Sequence, residues 1–353
     1  MTSVTVPIVT TREIQIPKVL MEILKKGFRC NCEGSKHPIA IASDFDDTLV
    51  AALDGAATKR TIDGQAVEPP ILTILRHGIP FIVITAASQE DMERRLVEPV
   101  RHVLSEEGNI KAMQNLTVYP NLGAIRCCFN AQGEMDVAGA QVYKQQFVIP
   151  SDDADIISRV LEQVGGQYWQ RYRDNQTGMA ELYPHFGFRE PRVVVQGAVK
   201  MTLSPLPGQE RMEAIRAIKE TLENSGHERI KYQYLIAPGG RSTIDIVNRR
   251  INKGYALADV LRLLGIPRDK PNHVVYFGDS FAAKWDSYGS VHKGNDLPVL
   301  ELGNVVFAIG VNINQAELLP ASESRVFPGG SGPAATAAWL AKFAQYIIRT
   351  AEA

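Results

Sequence analysis

Residues 41–55 read "IASDFDDTLVAALDG", and this stretch guides the interpretation of the whole chain. It begins inside an apolar run, after which three carboxylates, Asp44, Asp46 and Asp47, follow within four positions. Like charges so close together raise the pKa values of the carboxyl groups and destabilise the fold unless a cation or hydrogen-bond donors neutralise them. The stretch therefore predicts a buried strand over 39–43 that ends at a site for a positively charged group.

The composition is that of a globular protein larger than a usual single domain. The chain has 353 residues, of which 45% are apolar and 22% charged, and its formal net charge is −1. This length favours two domains, or one domain with a large insertion. Because acidic and basic residues are interspersed, the charge pattern indicates neither a nucleic-acid surface nor a polybasic membrane patch. We therefore expect small molecules as partners, and the sequence leaves the oligomeric state open.

Four cysteines are too few for a disulfide scaffold and fit a reducing compartment. We see no secretory leader pattern, and no apolar run approaches the ~20 residues that span a bilayer. These observations predict a cytoplasmic protein. Cys30 and Cys32, with His37 nearby, could belong to a zinc site, but their spacing is not that of a zinc module. Buried or idle thiols are the preferred interpretation.

Short β-branched runs alternate with helical patterns in the first and last parts of the chain, which is typical of a parallel α/β sheet. The predicted strands are 39–43, 80–85, 273–279 and 305–310, and the predicted helices are 71–77, 88–104 and 334–349. Asp44 directly follows the first strand, at the carboxyl end where open α/β sheets bind their ligands. The sequence thus predicts a Rossmann-like parallel sheet with Asp44 in its crevice.

The middle of the chain has a different pattern. Helices are predicted over 152–164 and 209–223, and strands over 168–174, 179–183, 192–205, 230–238 and 242–247, the last two joined at a Gly-Gly turn. This order predicts a small α+β unit with an antiparallel sheet, inserted into the parallel one. We expect a core domain formed by 1–140 and 248–353, in which 1–38 has no assigned role, and a cap domain over 141–247.

The carboxylates at the end of the first strand suit phosphoryl transfer. Asp44 and Asp46 are two positions apart and can point into one crevice, where one carboxylate would act as nucleophile and the other as proton donor and acceptor. Mg²⁺ prefers hard oxygen ligands and substrate phosphate, so it is the cation that we expect there. The alternative is a solvated acidic turn, because Asp is common in turns.

Three later stretches favour the catalytic interpretation. Thr85 ends the predicted strand "PFIVIT" and could donate its hydroxyl to a phosphate oxygen. Lys253 lies at the start of a helix, where a positive charge does not help the helix dipole and would instead neutralise an anion. "VVYFGDS" ends a strand at Asp279, and "GNDLPVLELGNVVFAIG" follows with Asn295 and Asp296, which adds carboxylates for a divalent cation. Taken singly, Thr85 and Lys253 would be a locally bonded threonine and a surface lysine.

Together and in this order, the four stretches resemble the motifs of the haloacid dehalogenase superfamily of phosphohydrolases. "DFDDT" matches the nucleophile loop, Thr85 the second motif, Lys253 the third, and the pairs "GD" and "ND" the fourth. "NLGAI" (121–125) and "GNDLPVLELGNVVFAIG" look closer still to the subgroup with a large cap between the second and third motifs. That subgroup includes Cof-type sugar phosphatases, sucrose-phosphate phosphatase, trehalose-phosphate phosphatase and phosphomannomutase.

The resemblance implies a role for each matched residue. Asp44 would form an aspartyl-phosphate, and Asp46 would protonate the leaving alkoxide and then activate water. Thr85 and Lys253 would bind the phosphoryl group. The metal site for Mg²⁺ would be formed by the following groups: the carboxylate of Asp44, the backbone carbonyl of Asp46, Asp279 and Asp296.

Two features depart from the family pattern. Asp47 stands where many capped relatives have glycine, and its role is open. The stretch 280–294 separates "GD" from "ND" by more than the usual few residues, so either Asp296 or Asp286 would complete the metal site. The similarity of "GNDLPVLE" to the family motif favours Asp296.

The resemblance implies a Mg²⁺-dependent phosphatase of a small phosphorylated metabolite, in the first place a sugar or polyol phosphate. Two alternatives stay open: a phosphomutase, which would return the phosphate to a sugar, and a catalytically silent module that binds sugar phosphate and regulates a partner. We also expect Arg241, at the turn between the last two cap strands, to contact the substrate, because its charge can hold a second anion or a hydroxyl-rich ring.

Overall fold

The computed structural model of the protein describes residues 39–51, 60–174, 190–206, 210–239, 243–269, 271–281, 283–285, 291–311 and 326–351. A seven-stranded sheet and a four-stranded sheet dominate this part of the chain. Among the described helices, none combines the length and the apolar character that crossing a bilayer requires.

The described strands form three sheets. In chain order they are β1 (Ala40–Ser43), β2 (Phe81–Ile84), β3 (Leu116–Tyr119), β4 (Cys127–Cys128), β5 (Arg192–Gln196), β6 (Lys200–Ser204), β7 (Tyr234–Gly239), β8 (Thr243–Asn248), β9 (Val274–Gly278), β10 (Ala283–Trp285), β11 (Val291–Lys293), β12 (Val306–Gly310) and β13 (Val326–Pro328). The large sheet has the order β13-β12-β9-β1-β2-β3-β4, and its neighbouring strands are parallel except for β3 and β4. The four-stranded sheet is antiparallel, in the order β5-β6-β8-β7, and β10 pairs with β11.

Helices pack against both large sheets. They are α1 (Glu68–Arg76), α2 (Gln89–Met92), α3 (Glu98–Glu106), α4 (Val137–Gln145), α5 (Ser151–Asp174), α6 (Glu210–Asn224), α7 (Glu228–Gln233), α8 (Lys253–Leu263) and α9 (Gly332–Ala351). A π-helical turn, Glu93–Val97, joins α2 to α3, and 3₁₀ turns occur at Ile110–Asn115, Asn121–Gly123 and Leu297–Val305. Ser88 caps α2 by accepting a hydrogen bond from the Asp91 amide at 3.1 Å, which explains why that helix begins where the sequence predicts it.

The two large sheets have separate hydrophobic cores. Every residue of β1 and β2 is buried, as expected for parallel strands that are covered on both faces, and this explains their continuous apolar runs. A second cluster of buried side chains lies between the antiparallel sheet and helices α5 and α6; it includes Leu161, Met201 and Ile218. The predicted fold class, a Rossmann-like parallel sheet with an inserted α+β unit, is therefore confirmed. The exact limits of the cap, 141–247, stay a prediction.

Three elements within the insertion differ from the prediction. Residues 168–174 were expected as a strand but continue α5, because Leu161, Val164 and Tyr168 follow a helical spacing and all face the cap core. Residues 230–233 belong to α7, and the strand begins only at Tyr234. The predicted strand 179–183 lies outside the described residues.

The third difference is that residues 192–205 form a hairpin and not one long strand. Gly197 and Ala198 both have positive φ angles, 58° and 60°, and the Val199 amide donates to the Gln196 carbonyl at 3.1 Å. Two consecutive positive φ angles are the signature of the type I′ turn that closes tight hairpins. The apolar alternation continues through this turn, and Gly-Ala is a weaker turn signal than Asn-Gly, so the pattern alone did not reveal it.

The position of β1 in the large sheet determines where a ligand can bind. From β1 the chain proceeds to β2 on one side, whereas β9 lies on the other side. Connections leave in opposite directions at such a point, and the carboxyl ends of the strands border a crevice. Asp44, Thr85 and Asp279 directly follow β1, β2 and β9, so the fold gathers three of the predicted site residues at one sheet edge.

Candidate active site

A buried lysine bridges two buried aspartates at the carboxyl end of β1. Lys253 Nζ lies 2.8 Å from Asp44 Oδ2 and 2.7 Å from Asp296 Oδ1, and its side chain is fully buried. Two hydrogen bonds hold Asp44 in place. Its amide donates to the Phe277 carbonyl at 2.8 Å, and its Oδ1 accepts from the Phe45 amide at 2.7 Å. The nucleophile candidate and the third-motif lysine are thus in direct contact.

Asp296 is bonded by several donors in addition to the lysine. The Tyr276 hydroxyl donates to its Oδ1 at 2.5 Å, and the Ser280 amide donates to its Oδ2 at 2.8 Å. Gly278 leaves the space for this arrangement, since a Cβ atom at that position would lie 2.6 Å from the carboxyl carbon of Asp296. The chain after β9 therefore returns Asp296 to the same site as Asp44, and Asp286, the alternative at the sequence level, lies outside the described residues.

Lys253 reaches the site because it is the first residue of α8. Asn252 caps this helix by accepting a hydrogen bond from the Tyr255 amide at 2.8 Å. Gly254 permits α8 to approach the chain near Asp296 closely, since a Cβ atom there would lie 2.3 Å from the Pro298 carbonyl oxygen. A lysine at a helix start is electrostatically unfavourable for the helix, so its position is explained by the two carboxylates that it contacts.

Three carboxylates at this site outnumber the one ammonium group. Oxygen atoms of Asp44, Asp279 and Asp296 lie within 4.8 Å of one another. Burial and then Asp296 raise the pKa of Asp279 to about 6, although Lys253 partly opposes this. Burial also raises the pKa of Asp44 well above its usual value, with Lys253 opposing and Asp296 adding to the shift. Burial alone would lower the pKa of Lys253, but Asp296 and Asp44 outweigh it and raise that pKa.

This excess of negative charge fits a divalent cation. Carboxylate oxygens are the hard ligands that Mg²⁺ prefers, and the cluster sets three carboxylates against the single ammonium group of Lys253. The donor set therefore fits Mg²⁺ in kind and in charge. Asp46 is not part of this carboxylate cluster: its side chain pairs with Arg95 instead, at 2.6 Å between Arg95 Nη2 and Asp46 Oδ1.

Thr85 lies at the end of β2, next to β1, and it is buried. Its Oγ1 accepts a hydrogen bond from the Ala87 amide at 3.1 Å, and its amide donates to the Tyr119 carbonyl at 3.0 Å. These bonds fix a tight turn after the strand. The local bonding expected for a strand-end threonine is thus present, at the sheet edge that also carries Asp44.

Arg241, the predicted substrate contact, lies outside the described residues. Its contact with a substrate stays a prediction. The zinc hypothesis for Cys30, Cys32 and His37 also falls outside the described part of the chain.

Solved structures resemble the fold of this chain, although no protein-family model and no curated protein sequence matches the chain. IMP-bound IMP-nucleotidase of Plasmodium falciparum, in a variant form, has a TM-score of 0.54 at 18% identity over 93% of this chain and 70% of that chain. Another structure of that nucleotidase has a TM-score of 0.53 at 15% identity, over 93% and 71%. Sucrose-phosphatase of Synechocystis, with sucrose and phosphate, has a TM-score of 0.46 at 18% identity, over 86% and 97%.

The shared fold rests on the two nucleotidase structures named above, whose TM-scores exceed 0.5. The fold is that of the haloacid dehalogenase superfamily. The resemblance inferred from four short motifs is therefore confirmed at the level of the fold. In this fold, the large insertion lies between β2, which Thr85 directly follows, and the helix that begins at Lys253.

Two charged residues near this candidate site were not identified from sequence. Arg95 pairs with Asp46, and Lys200, on β6, donates to the Ala86 carbonyl at 3.0 Å in the turn that follows Thr85. The sequence did contain a signal that Arg95 is buried, because its position falls on the same helix face as the apolar residues Met92 and Leu96. Lys200 lies on the polar side of a strand with alternating polar and apolar residues. This alternation does not indicate which part of the protein that polar side contacts.

We predict that Lys253→Met destabilises the metal-free protein by about 3–5 kcal/mol, because it leaves Asp44 and Asp296 buried without their cation. Urea unfolding with a chelator measures this loss. Lys231→Met is the matched control, since Lys231 forms a more exposed ion pair with Glu223, and exposed ion pairs contribute little to stability. Equal losses in the two variants would contradict the assignment of Lys253 as the structural counter-ion of the site.

Proposed function

We propose that the protein is a Mg²⁺-dependent phosphatase that hydrolyses a small phosphorylated metabolite, in the first place a sugar or polyol phosphate, through an aspartyl-phosphate. The observation that carries this proposal is the cluster of Asp44 and Asp279, which follow the adjacent strands β1 and β9, with Asp296 and Lys253. A carboxylate nucleophile beside a buried ammonium group suits attack on a phosphate ester, whose own charge must be neutralised.

In the first half-reaction, an Asp44 carboxylate oxygen bonds to phosphorus as the bond from phosphorus to the ester oxygen breaks. The departing alkoxide takes a proton from Asp46. In the second half-reaction, the Asp46 carboxylate takes a proton from water, the water oxygen bonds to phosphorus, and Asp44 is released as a carboxylate. Lys253 and Thr85 hold the phosphoryl oxygens during both steps.

Asp44, Asp279 and the Asp46 backbone carbonyl would hold Mg²⁺, and Asp296 would add charge and orient Lys253. The bound ion supplies charge neutralisation for the phosphoryl oxygens. A cytoplasmic location, predicted from composition, belongs to the same proposal.

The cap contributes a contact to the turn next to Thr85. Lys200 is buried, lies 3.5 Å from Asp245 Oδ2 and donates to the Ala86 carbonyl. Lys200 thereby joins the antiparallel sheet to the turn that we assign to phosphate binding. This contact supports a cap that closes over the crevice, excludes water during the first half-reaction and opens for the second.

We predict that Lys200→Met raises KM for phosphate esters about tenfold or more, since hydrogen bonds from charged groups contribute about 1.5–3 kcal/mol. Because the bond orients the phosphate-binding turn, the rise should include small aryl phosphates. Steady-state kinetics measures it, with Lys231→Met as the control on an exposed part of the same cap. An unchanged KM would mean that the Lys200 contact does not influence phosphate binding.

A screen of phosphorylated metabolites with Mg²⁺, reading released phosphate, tests the proposed function. The panel should contain sugar phosphates, polyol phosphates and nucleoside monophosphates, because IMP-nucleotidase by its name acts on IMP. Asp44→Asn is the matched control for contaminating activity. Folded protein that releases phosphate from no compound would favour a non-catalytic binding module, and phosphate transfer to a sugar without release would favour a phosphomutase.

A further inference from the structure

A buried arginine holds the carboxylate of Asp46 with two nitrogen atoms. Arg95 Nη2 lies 2.6 Å from Asp46 Oδ1, and Arg95 Nη1 lies 3.4 Å from Asp46 Oδ2. The side chain of Arg95 is 2% exposed, whereas that of Asp46 is 38% exposed. Arg95 thus contacts Asp46 from the protein interior and leaves the outer side of the carboxylate accessible.

Arg95 is itself held in one position by three further features. Its Nε donates to the Arg60 carbonyl at 2.9 Å, and its guanidinium carbon lies 4.6 Å from the centre of the Phe45 ring. Its backbone belongs to the π-helical turn Glu93–Val97, where the Arg95 carbonyl accepts from the Ile62 amide at 3.0 Å. Such π turns are rare and often occur at functional sites.

This geometry restricts the orientation of the Asp46 carboxylate. A guanidinium that meets a carboxylate in two places fixes the plane of the group as well as its position. A carboxylate has about four lone-pair sites, of which Arg95 occupies two. The remaining sites, on the exposed side, are free to exchange a proton with a leaving group or with water.

We propose that Arg95 is a positioning residue that orients Asp46 for proton transfer. The proposal rests on the proposed function, because it takes Asp46 as the acid and base of phosphoester hydrolysis. A proton donor is effective only when it lies within hydrogen-bond reach of the reacting oxygen, and small displacements of an oriented group reduce rates strongly. Arg95 therefore matters most for substrates whose leaving group needs a proton.

The experiment compares an alkyl phosphate, whose alkoxide must be protonated, with an aryl phosphate, whose leaving group needs no proton. Arg95→Met should lower kcat/KM for the alkyl phosphate about tenfold or more relative to the aryl phosphate. This ratio reports the first half-reaction, whereas the hydrolysis of the phosphoenzyme is common to both substrates. Arg95→Lys retains the charge but not the two-point contact, and should lie between wild type and Arg95→Met. Arg94→Met is the matched control, because the adjacent Arg94 is exposed and pairs only loosely with Asp91, at 3.4 Å.

A double mutant separates positioning from general support of the fold. In an Asp46→Asn background, where the acid is already absent, Arg95→Met should cause no further loss of kcat/KM on either substrate. If Arg95→Met does not fold, the same comparison with Arg95→Lys tests the proposal.

Two results would overturn the proposal, and they differ from a failure of the proposed function. Active Arg95 variants with a wild-type alkyl-to-aryl ratio would overturn it alone. An equal further loss on both substrates in the Asp46→Asn background would do the same, because Arg95 would then act independently of Asp46. Absence of phosphate release by the wild-type protein from every ester would overturn both proposals.

Discussion

Asp44→Asn is expected to lower the turnover of phosphate esters by about six orders of magnitude, the scale on which loss of a catalytic nucleophile acts. The substitution keeps the shape of the side chain but removes the group that would bond to phosphorus. It also removes one of three clustered carboxylates while Lys253 keeps its 2.7 Å contact with Asp296, so the variant should remain folded. Steady-state kinetics and a thermal melt measure the two effects.

The phosphoenzyme provides a second readout for this variant. Wild-type protein quenched in acid during turnover of a labelled substrate should retain label on Asp44, and Asp44→Asn should retain none. Asp47→Asn is a matched control from the same loop, because Asp47 has a φ angle of 58°, which asparagine tolerates. Near-normal turnover by Asp44→Asn would show that the nucleophile is another residue.

Removal of divalent ions is expected to abolish turnover, and Mg²⁺ is expected to raise the melting temperature of the metal-free protein. The carboxylates of Asp44, Asp279 and Asp296 repel one another, and Lys253 compensates them only in part. A ligand that binds only the folded state stabilises it by about 2.7 kcal/mol at a hundredfold excess over Kd. Thermal melts with and without chelator measure this shift independently of activity.

A matched pair of variants locates the effect of the metal. Asp279→Asn should reduce the Mg²⁺-dependent rise in melting temperature, whereas Asp155→Asn, an exposed change on α5, should not. Ca²⁺ should stabilise the protein without supporting turnover, since its larger and looser coordination shell spoils the in-line geometry. Full activity after exhaustive chelation would refute a metal-dependent mechanism.

Local sequence patterns predicted the framework of the fold correctly. Buried parallel strands read as continuous apolar runs, so β1, β2, β9 and β12 were found close to their actual limits. Patterns failed where tertiary packing overrode them. Tyr168 extends α5 because its ring fills the cap core, and the chain reverses at Gly197 because both turn residues adopt positive φ angles.

The candidate site was likewise predictable only in part. Asp44, Thr85 and Asp279 were predictable because each directly follows a buried strand, and the ends of neighbouring parallel strands meet at one edge. The sequence predicted Asp46 beside them, but it did not reveal that its carboxylate turns toward Arg95.

The sequence by itself determined the fold class, the order of the motifs and the residue types at the strand ends, because these depend on local periodicity and on neighbours along the chain. The tertiary structure alone decided which charges meet. Lys253 contacts both Asp44 and Asp296, and Arg95 pairs with Asp46, across separations of 43 to 209 positions. Such contacts depend on strand order and helix packing, and a charged side chain has the same sequence signal whether it is buried against a partner or exposed to water.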